Sequence, residues 1–137
     1  MWEYQHQDTT TATPAHLYRL WADVGTWVHW NQDLVQATLH GPFAADSHIE
    51  MTTPDDTIRL RLTDVQQDRQ FTDEVEMDGL LIRTVHQLNV RPDGLTQVTY
   101  RMQITGTDAA QLGPEIGPAI TSDFPDTVAA LIRYAEQ

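Results

Sequence analysis

Four polar residues in the second half of the chain, Asp73, Thr84, His86 and Tyr100, carry the side chains of an acid–base site. A carboxylate beside an imidazole holds its tautomer and raises its basicity, as a general base requires. A phenol such as that of Tyr100 could donate to a developing oxyanion, and the Thr84 hydroxyl could orient a water. The same groups could instead read one oxygen-bearing group of a ligand, or satisfy one another as a polar knot inside a core. Other chemistries find less support. There is no Cys, which excludes disulfides, thiolate metal sites and a cysteine nucleophile. No two histidines have the i,i+4 spacing of a helical zinc site, His16 and His29 fall away from the apolar helix faces, and no metal is expected. Nucleophile-elbow, phosphate-cradling and dinucleotide-binding glycine patterns are absent, so no cofactor is expected either.

Turn chemistry brings the four residues together. Asp78-Gly79, between Phe71–Met77 and Leu80–Val90, is a two-residue hairpin signal. It sets Met77 opposite Leu80, Val75 opposite Ile82, Asp73 opposite Thr84 and Phe71 opposite His86. Pro92-Asp93-Gly94 fits a type I turn with Gly94 left-handed. That turn pairs Leu88 with Val98, His86 with Tyr100 and Thr84 with Met102. A four-residue loop at Gln66–Arg69 puts Leu62 opposite Asp73, Leu60 opposite Val75, Arg61 beside Glu74 and Arg59 beside Glu76. Pairing Met51 with Ile58 places Glu50 beside Arg59.

These registers agree. One face carries charge rows, Glu50, Arg59, Glu76 and then His48, Arg61, Glu74, Arg83. Each exposed pair contributes only a few tenths of a kcal/mol, so the rows speak for register more than for stability. The other face is apolar except for Asp73, Thr84, His86 and Tyr100. Burying such groups unpartnered costs about 1–3 kcal/mol each. They must bond one another or line a wet cavity.

Earlier in the chain, residues 1–9 alternate as a strand, and Thr13-Pro14 caps a helix carrying Leu17, Leu20, Trp21 and Val24. A second short helix is expected over Thr26–Trp30, with Trp27 and Trp30 at the cavity mouth or sealing the helix down. Strands follow over Leu34–Leu39, Ser47–Thr52 and Thr57–Val65. From Pro114 to Glu136 the residues Ile116, Ile120, Phe124, Val128, Leu131 and Ala135 make one helical stripe. Pro125 should kink it. Gly113 and Gly117, beside Pro114 and Pro118, read as a hinge and a gate to the cavity. The predicted order is strand, two helices, six strands and one long helix, an α+β architecture with an antiparallel sheet, residues 1–137 forming a single domain.

The charge balance narrows the partners. Twenty acidic residues face eight arginines and no lysine, for a net charge of -12. Nucleic acid, anionic lipid and polyphosphate would be repelled. Such an acidic surface suits either high salt or the codon usage of a GC-rich genome. No apolar run approaches the roughly 20 residues of a membrane span. The opening MWEYQHQDTT lacks a basic and an apolar secretion region, so a cytoplasmic protein, monomeric or homodimeric, is expected.

The segments "TATPAHLYRLWADVGTWVHWN", "LHGPFAADSHIEM", "DRQFTDEVEMDGLLIRTVHQL" and "FPDTVAALIRYAEQ" resemble the polyketide cyclase/dehydrase-like branch of the SRPBCC (START-like) superfamily. The resemblance implies a helix-grip fold, a seven-stranded antiparallel sheet wrapped around the C-terminal helix with an apolar cavity between them. It implies binding of an apolar, lipid- or polyketide-like small molecule. On the registers above, the lining would be Trp27, Trp30, Leu60, Leu62, Asp73, Val75, Thr84, His86, Tyr100, Met102, Ile120 and Phe124. Two alternatives stand beside it: a cyclase, dehydratase or hydrolase using His86 as base with Asp73 and Tyr100, and a protein-interaction module. Family cyclases place cationic or polar groups in the cavity, whereas no Arg falls on this inner face, which counts against a cyclase.

Overall fold

The computed structural model describes residues 1–77 and 79–137. Asp78, the first residue of the expected two-residue turn, lies outside the described residues. In chain order the elements are β1 (Trp2–Thr10), α1 (Pro14–Ala22), a 3-10 helix (Val24–His29), β2 (Gln36–His40), β3 (His48–Thr52), β4 (Thr57–Gln66), β5 (Gln70–Met77), β6 (Leu80–Val90), β7 (Thr96–Gly106), α2 (Ala109–Thr121) and α3 (Phe124–Ala135). The seven strands form one antiparallel sheet in the order β1-β7-β6-β5-β4-β3-β2. Consecutive hairpins build six of them, and the first strand closes the row against the last, with Trp2 facing Ile104 and His6 facing Tyr100.

The turns act as their chemistry requires. Gly94 sits at φ 85, and the backbone N–H of Arg91 donates to the Leu95 carbonyl at 2.8 Å. His86 therefore pairs with Tyr100 and Thr84 with Met102. Across the preceding hairpin Asp73 pairs with Thr84 and Phe71 with His86. The β4–β5 connection differs from expectation. Its loop is three residues long, closed by Asp68 at φ 60, and a bulge between Leu62 and Asp64 takes up the extra residue. Leu62 still faces Asp73 and Arg61 still faces Glu74, but the ladder ends there. The expected pairs Leu60 with Val75 and Arg59 with Glu76 do not form. A bulge bends and twists its strand, which helps the sheet curve around the helices.

The first helix begins as expected, the Thr13 hydroxyl accepting from the His16 backbone N–H at 3.2 Å with Pro14 following. The short helix starts at Val24, two residues before its expected position. The C-terminal helical segment is longer than expected, starting at Ala109, and is broken at Ser122-Asp123 rather than kinked at Pro125. Both joint residues keep right-handed helical angles, so the phase of the stripe survives the break. Pro125 falls in the first turn of α3, where its missing N–H costs nothing.

Gly113 and Gly117 are packing residues, contrary to the hinge expected there. Helix α2 runs unbroken through both. A Cβ on Gly117 would lie 2.7 Å from three ring atoms of Trp2, and one on Gly113 would lie 2.6 Å from the Trp2 Cβ. The glycines let α2 press directly onto β1.

Two apolar clusters fill the concave side. The larger gathers Leu17, Trp21, Leu62, Phe71, Val98, Val128 and Leu131, every one of them fully buried or nearly so. The smaller gathers Leu80, Ile82, Met102, Ile104 and Ala109 beneath α2. Phe124 packs against both.

Candidate functional site

Along β6 the inward side chains read Ile82, Thr84, His86, Leu88, and along β7 Ile104, Met102, Tyr100, Val98. The first of each row belongs to the smaller apolar cluster and the last to the larger. Thr84, His86 and Tyr100, with Asp73 from β5, thus form a buried polar seam near the junction of the two clusters. Strand registers set by local turns put it there.

His86 is held on several sides. Its ring stacks on Phe71, centroids 3.8 Å apart and planes within 6°. Trp21 and Tyr100 meet it edge-on at 5.9 and 4.5 Å. Its Nδ1 lies 3.1 Å from the Phe71 carbonyl oxygen. A carbonyl only accepts, so Nδ1 carries the proton and Nε2 is the bare nitrogen. Asp73 faces that bare nitrogen, Oδ2 to Nε2 4.0 Å. The tautomer is thus held by a backbone carbonyl and not by the carboxylate, as the residue types alone suggest. Burial lowers His86 to about 3, against a raising effect from the Phe71 bond. That is the opposite of the raised basicity a general base needs.

Asp73 is raised to about 7, first by burial and then by the charge of Glu74 on the opposite face of the same strand. Among the described residues no hydrogen bond offsets those two effects. Tyr100 is raised above its ordinary value by burial and further by Asp73, while the bond from Trp21 lowers it. The Trp21 indole N–H donates to the Tyr100 oxygen at 3.2 Å, so the phenol keeps its own proton free to donate. The helix residue Trp21 belongs to the site although its type gave no sign of it; only the fold brings α1 onto β6, from where Trp21 reaches Tyr100 of β7.

Apart from Trp30, the apolar members of the expected lining divide in three. Trp27, Leu60 and Leu62 are buried in the larger cluster, Trp27 donating to the Trp21 carbonyl at 3.0 Å. Trp27 therefore seals the short helix and does not stand at a mouth. Met102 is buried in the smaller cluster. Val75, Ile120 and Phe124 are half-buried, and Phe124 lies 5.9 Å from the rings of both Tyr4 and Tyr100. Tyr4, on the inward face of β1, packs beside Phe124, a contact that the alternation of β1 does not announce. Helices α2 and α3 rest on β1 and β7, and Ile58 and Val75 on β4 and β5 stay half-buried.

Two concavities lie elsewhere. One of about 480 Å³ is at the β5–β6 and β7–α2 connections. The other, about 450 Å³, runs between residues 28–32 and α3, and Trp30 is part of its wall. Neither is lined by Asp73, Thr84, His86 or Tyr100. Trp21, Phe71 and Leu62 fill one end of the space expected to be hollow. Within it the Asp73 and His86 side chains keep 8 % and 10 % exposure.

On the outer face the charge row forms as expected around Glu74. The Arg83 Nε donates to one carboxylate oxygen at 2.7 Å and the Arg61 Nη2 to the other at 3.3 Å. Among the described residues no group of three or more histidine or acidic side chains is arranged to hold a metal ion, and no helix is long and apolar enough to cross a membrane.

No family model matches the chain, and no curated protein matches it. Solved structures do. Ara h 8.0201 aligns over 97% of this chain and 96% of its own, with a TM-score of 0.76 and 11% identity. A START superfamily protein from Mycobacterium smegmatis aligns over 98% and 97%, with a TM-score of 0.76 and 10% identity. The di-domain ARO/CYC protein StfQ of the steffimycin biosynthetic pathway aligns with a TM-score of 0.77 at 10% identity, this chain covering 50% of its length. At such identities the likeness is one of fold. The chain has the helix-grip fold of these proteins, as the sequence resemblance implied.

Proposed function

We propose that the chain binds an apolar small molecule bearing one hydroxyl, seated with that hydroxyl between Asp73 and His86. The observation that carries the reading is the 4.0 Å separation of Asp73 Oδ2 from His86 Nε2. It is too long for a hydrogen bond, and neither atom has a hydrogen-bond partner among the described residues although both side chains are about nine-tenths buried, where unmet polar groups are costly. An oxygen about 2.8 Å from each atom closes the triangle. Its proton goes to the bare Nε2, and it accepts from the Asp73 carboxyl, which is protonated below about pH 7. The free O–H of Tyr100 is a second donor on the same face. Val75, Ile120 and Phe124 supply the apolar wall. The similarity in fold to a START protein and to a polyketide ARO/CYC protein agrees with a ligand of this kind.

The test uses 2-naphthol and naphthalene as probes, with affinity measured by fluorescence titration at pH 6. The expected result is tighter binding of 2-naphthol by tenfold or more, with the preference abolished in Asp73→Leu. Equal affinity for the two probes, or a preference that persists in Asp73→Leu, overturns the reading.

A further inference from the structure

The cleft between the 28–32 segment and α3 has a makeup unlike the seam. Trp30 forms part of its wall and is 95 % buried by its 5 % exposure, and its indole N–H is buried with no acceptor among the described residues. The other inward tryptophans do not share this. Trp21 donates to Tyr100 and Trp27 to the Trp21 carbonyl. A buried donor left unmet costs about 1–3 kcal/mol, so an acceptor belongs beside it. The cleft also carries Asp123 and Asp126 at the start of α3 and Arg133 two turns on. Asp123 lies near Asp33 and Asp126 with no ion-pair partner among the described residues, and its carboxyl is raised by partial burial and by these neighbours, against a lowering backbone bond. Arg133 has no ion-pair partner among the described residues. Asp126, Ala130 and Arg133 follow at i, i+4 and i+7, one stripe of the helix facing the cleft. Seven residues set the two charges about 10 Å apart along the axis.

We infer that this cleft is a second binding site, separate from the seam, for a small zwitterion whose ammonium and carboxylate are separated by several bonds. The ammonium sits between Asp123 and Asp126, where the carboxylates of these two and Asp33 have no ion-pair partner among the described residues. The carboxylate sits against Arg133 and, once the Trp30 ring turns toward the cleft, accepts from its indole N–H, which is buried in the free chain. Val28 and Ala129 flank the connecting chain. A lone cation would leave Arg133 and Trp30 unmet, and a lone anion would meet the repulsion of the acidic end.

The experiment follows the indole N–H signals of the full chain by proton–nitrogen correlation spectroscopy during addition of 4-aminobutanoate, with butylamine and butanoate as controls. The Trp30 signal is expected to move and saturate with the zwitterion, while those of Trp21 and Trp27 stay. Asp126→Asn and Arg133→Gln, both at exposed positions, are each expected to weaken binding tenfold or more without altering the spectrum of the free protein. A Trp30 signal that does not move up to 50 mM on the order of a weak-ligand titration, a response to butylamine or butanoate equal to that of the zwitterion, or binding indifferent to both variants overturns the inference.

Discussion

The imidazole of His86 lies flat on the ring of Phe71 and is bonded to that same residue's carbonyl, so one residue fixes both its plane and its tautomer. The strand register makes this possible. Phe71 and His86 are directly opposite on β5 and β6, where side chains on one face stand close enough to stack. The consequence is that Nε2 is presented bare toward Asp73. The seam thus presents an acceptor from His86, a carboxyl from Asp73 and a donor from Tyr100, all inside an apolar wall.

The pH dependence of folding should separate the two titrating members. Asp73 rises from 3.8 to about 7 on folding, so between those values the folded chain holds a proton that the unfolded chain has released. Its contribution to stability therefore falls as pH rises through that window. His86 drops from 6.5 to about 3, so the unfolded chain binds the extra proton there, and its contribution is lost as pH falls. The two slopes oppose each other from about pH 4 to 6.5, each near 1.4 kcal/mol per pH unit. Relative to the unmodified protein, Asp73→Asn should gain stability as pH rises from 4 to 7, and His86→Gln should lose it from 3 to 6.5. Urea unfolding across that range reads both differences, and parallel curves for all three proteins would count against the assignment.

Tyr100→Phe should destabilise by about 1–3 kcal/mol, since it removes the acceptor of the buried Trp21 indole N–H. The volume lost is one oxygen, so packing contributes little. A double-mutant cycle with Trp21→Phe isolates the bond, and additive effects of the two substitutions would contradict it.

How much of this could be read from the residues depends on the distance over which the cause acts. Asp78-Gly79 and Pro92-Asp93-Gly94 are local instructions, and the pairings they dictate bring Asp73, Thr84, His86 and Tyr100 onto one face without any knowledge of the rest. The bulge at β4 was illegible because a four-residue loop and a three-residue loop with a bulge give Leu62 the same partner. Gly113 and Gly117 read as a hinge in the sequence because their reason is Trp2, at the far end of the chain. The tautomer of His86 depends on a backbone carbonyl, which no side-chain pattern reports. The Trp30 cleft needs α3 folded across the 28–32 segment, a placement no periodicity announces.

The outer face should be felt in the seam. Glu74 is buried, bracketed by Arg61 and Arg83, and its charge adds to the rise of Asp73 on the other side of the strand. Glu74→Gln removes that charge, so Asp73 should titrate at lower pH than in the unmodified protein, with burial still holding it above 3.8. Carboxyl carbon shifts in a nitrogen- and carbon-labelled sample follow this directly. An upward move or none at all would show that the two carboxyls do not interact through the sheet.

Gly117→Ala sets helix propensity against packing. In an exposed helix the change would stabilise by about 1 kcal/mol. Here the added Cβ would fall 2.7 Å from three atoms of the Trp2 ring, closer than real contacts allow, and the ring is not a flexible tail that can swing aside. Either α2 lifts from β1 or Trp2 leaves its place, and overpacking of this kind costs about 1–3 kcal/mol. Net destabilisation is therefore expected, and Trp2→Leu in the same chain should recover most of it by making room. Thermal unfolding of the two single variants and the double variant measures the coupling. If Gly117→Ala alone raises the melting temperature, the close approach of α2 to β1 is not what these glycines provide.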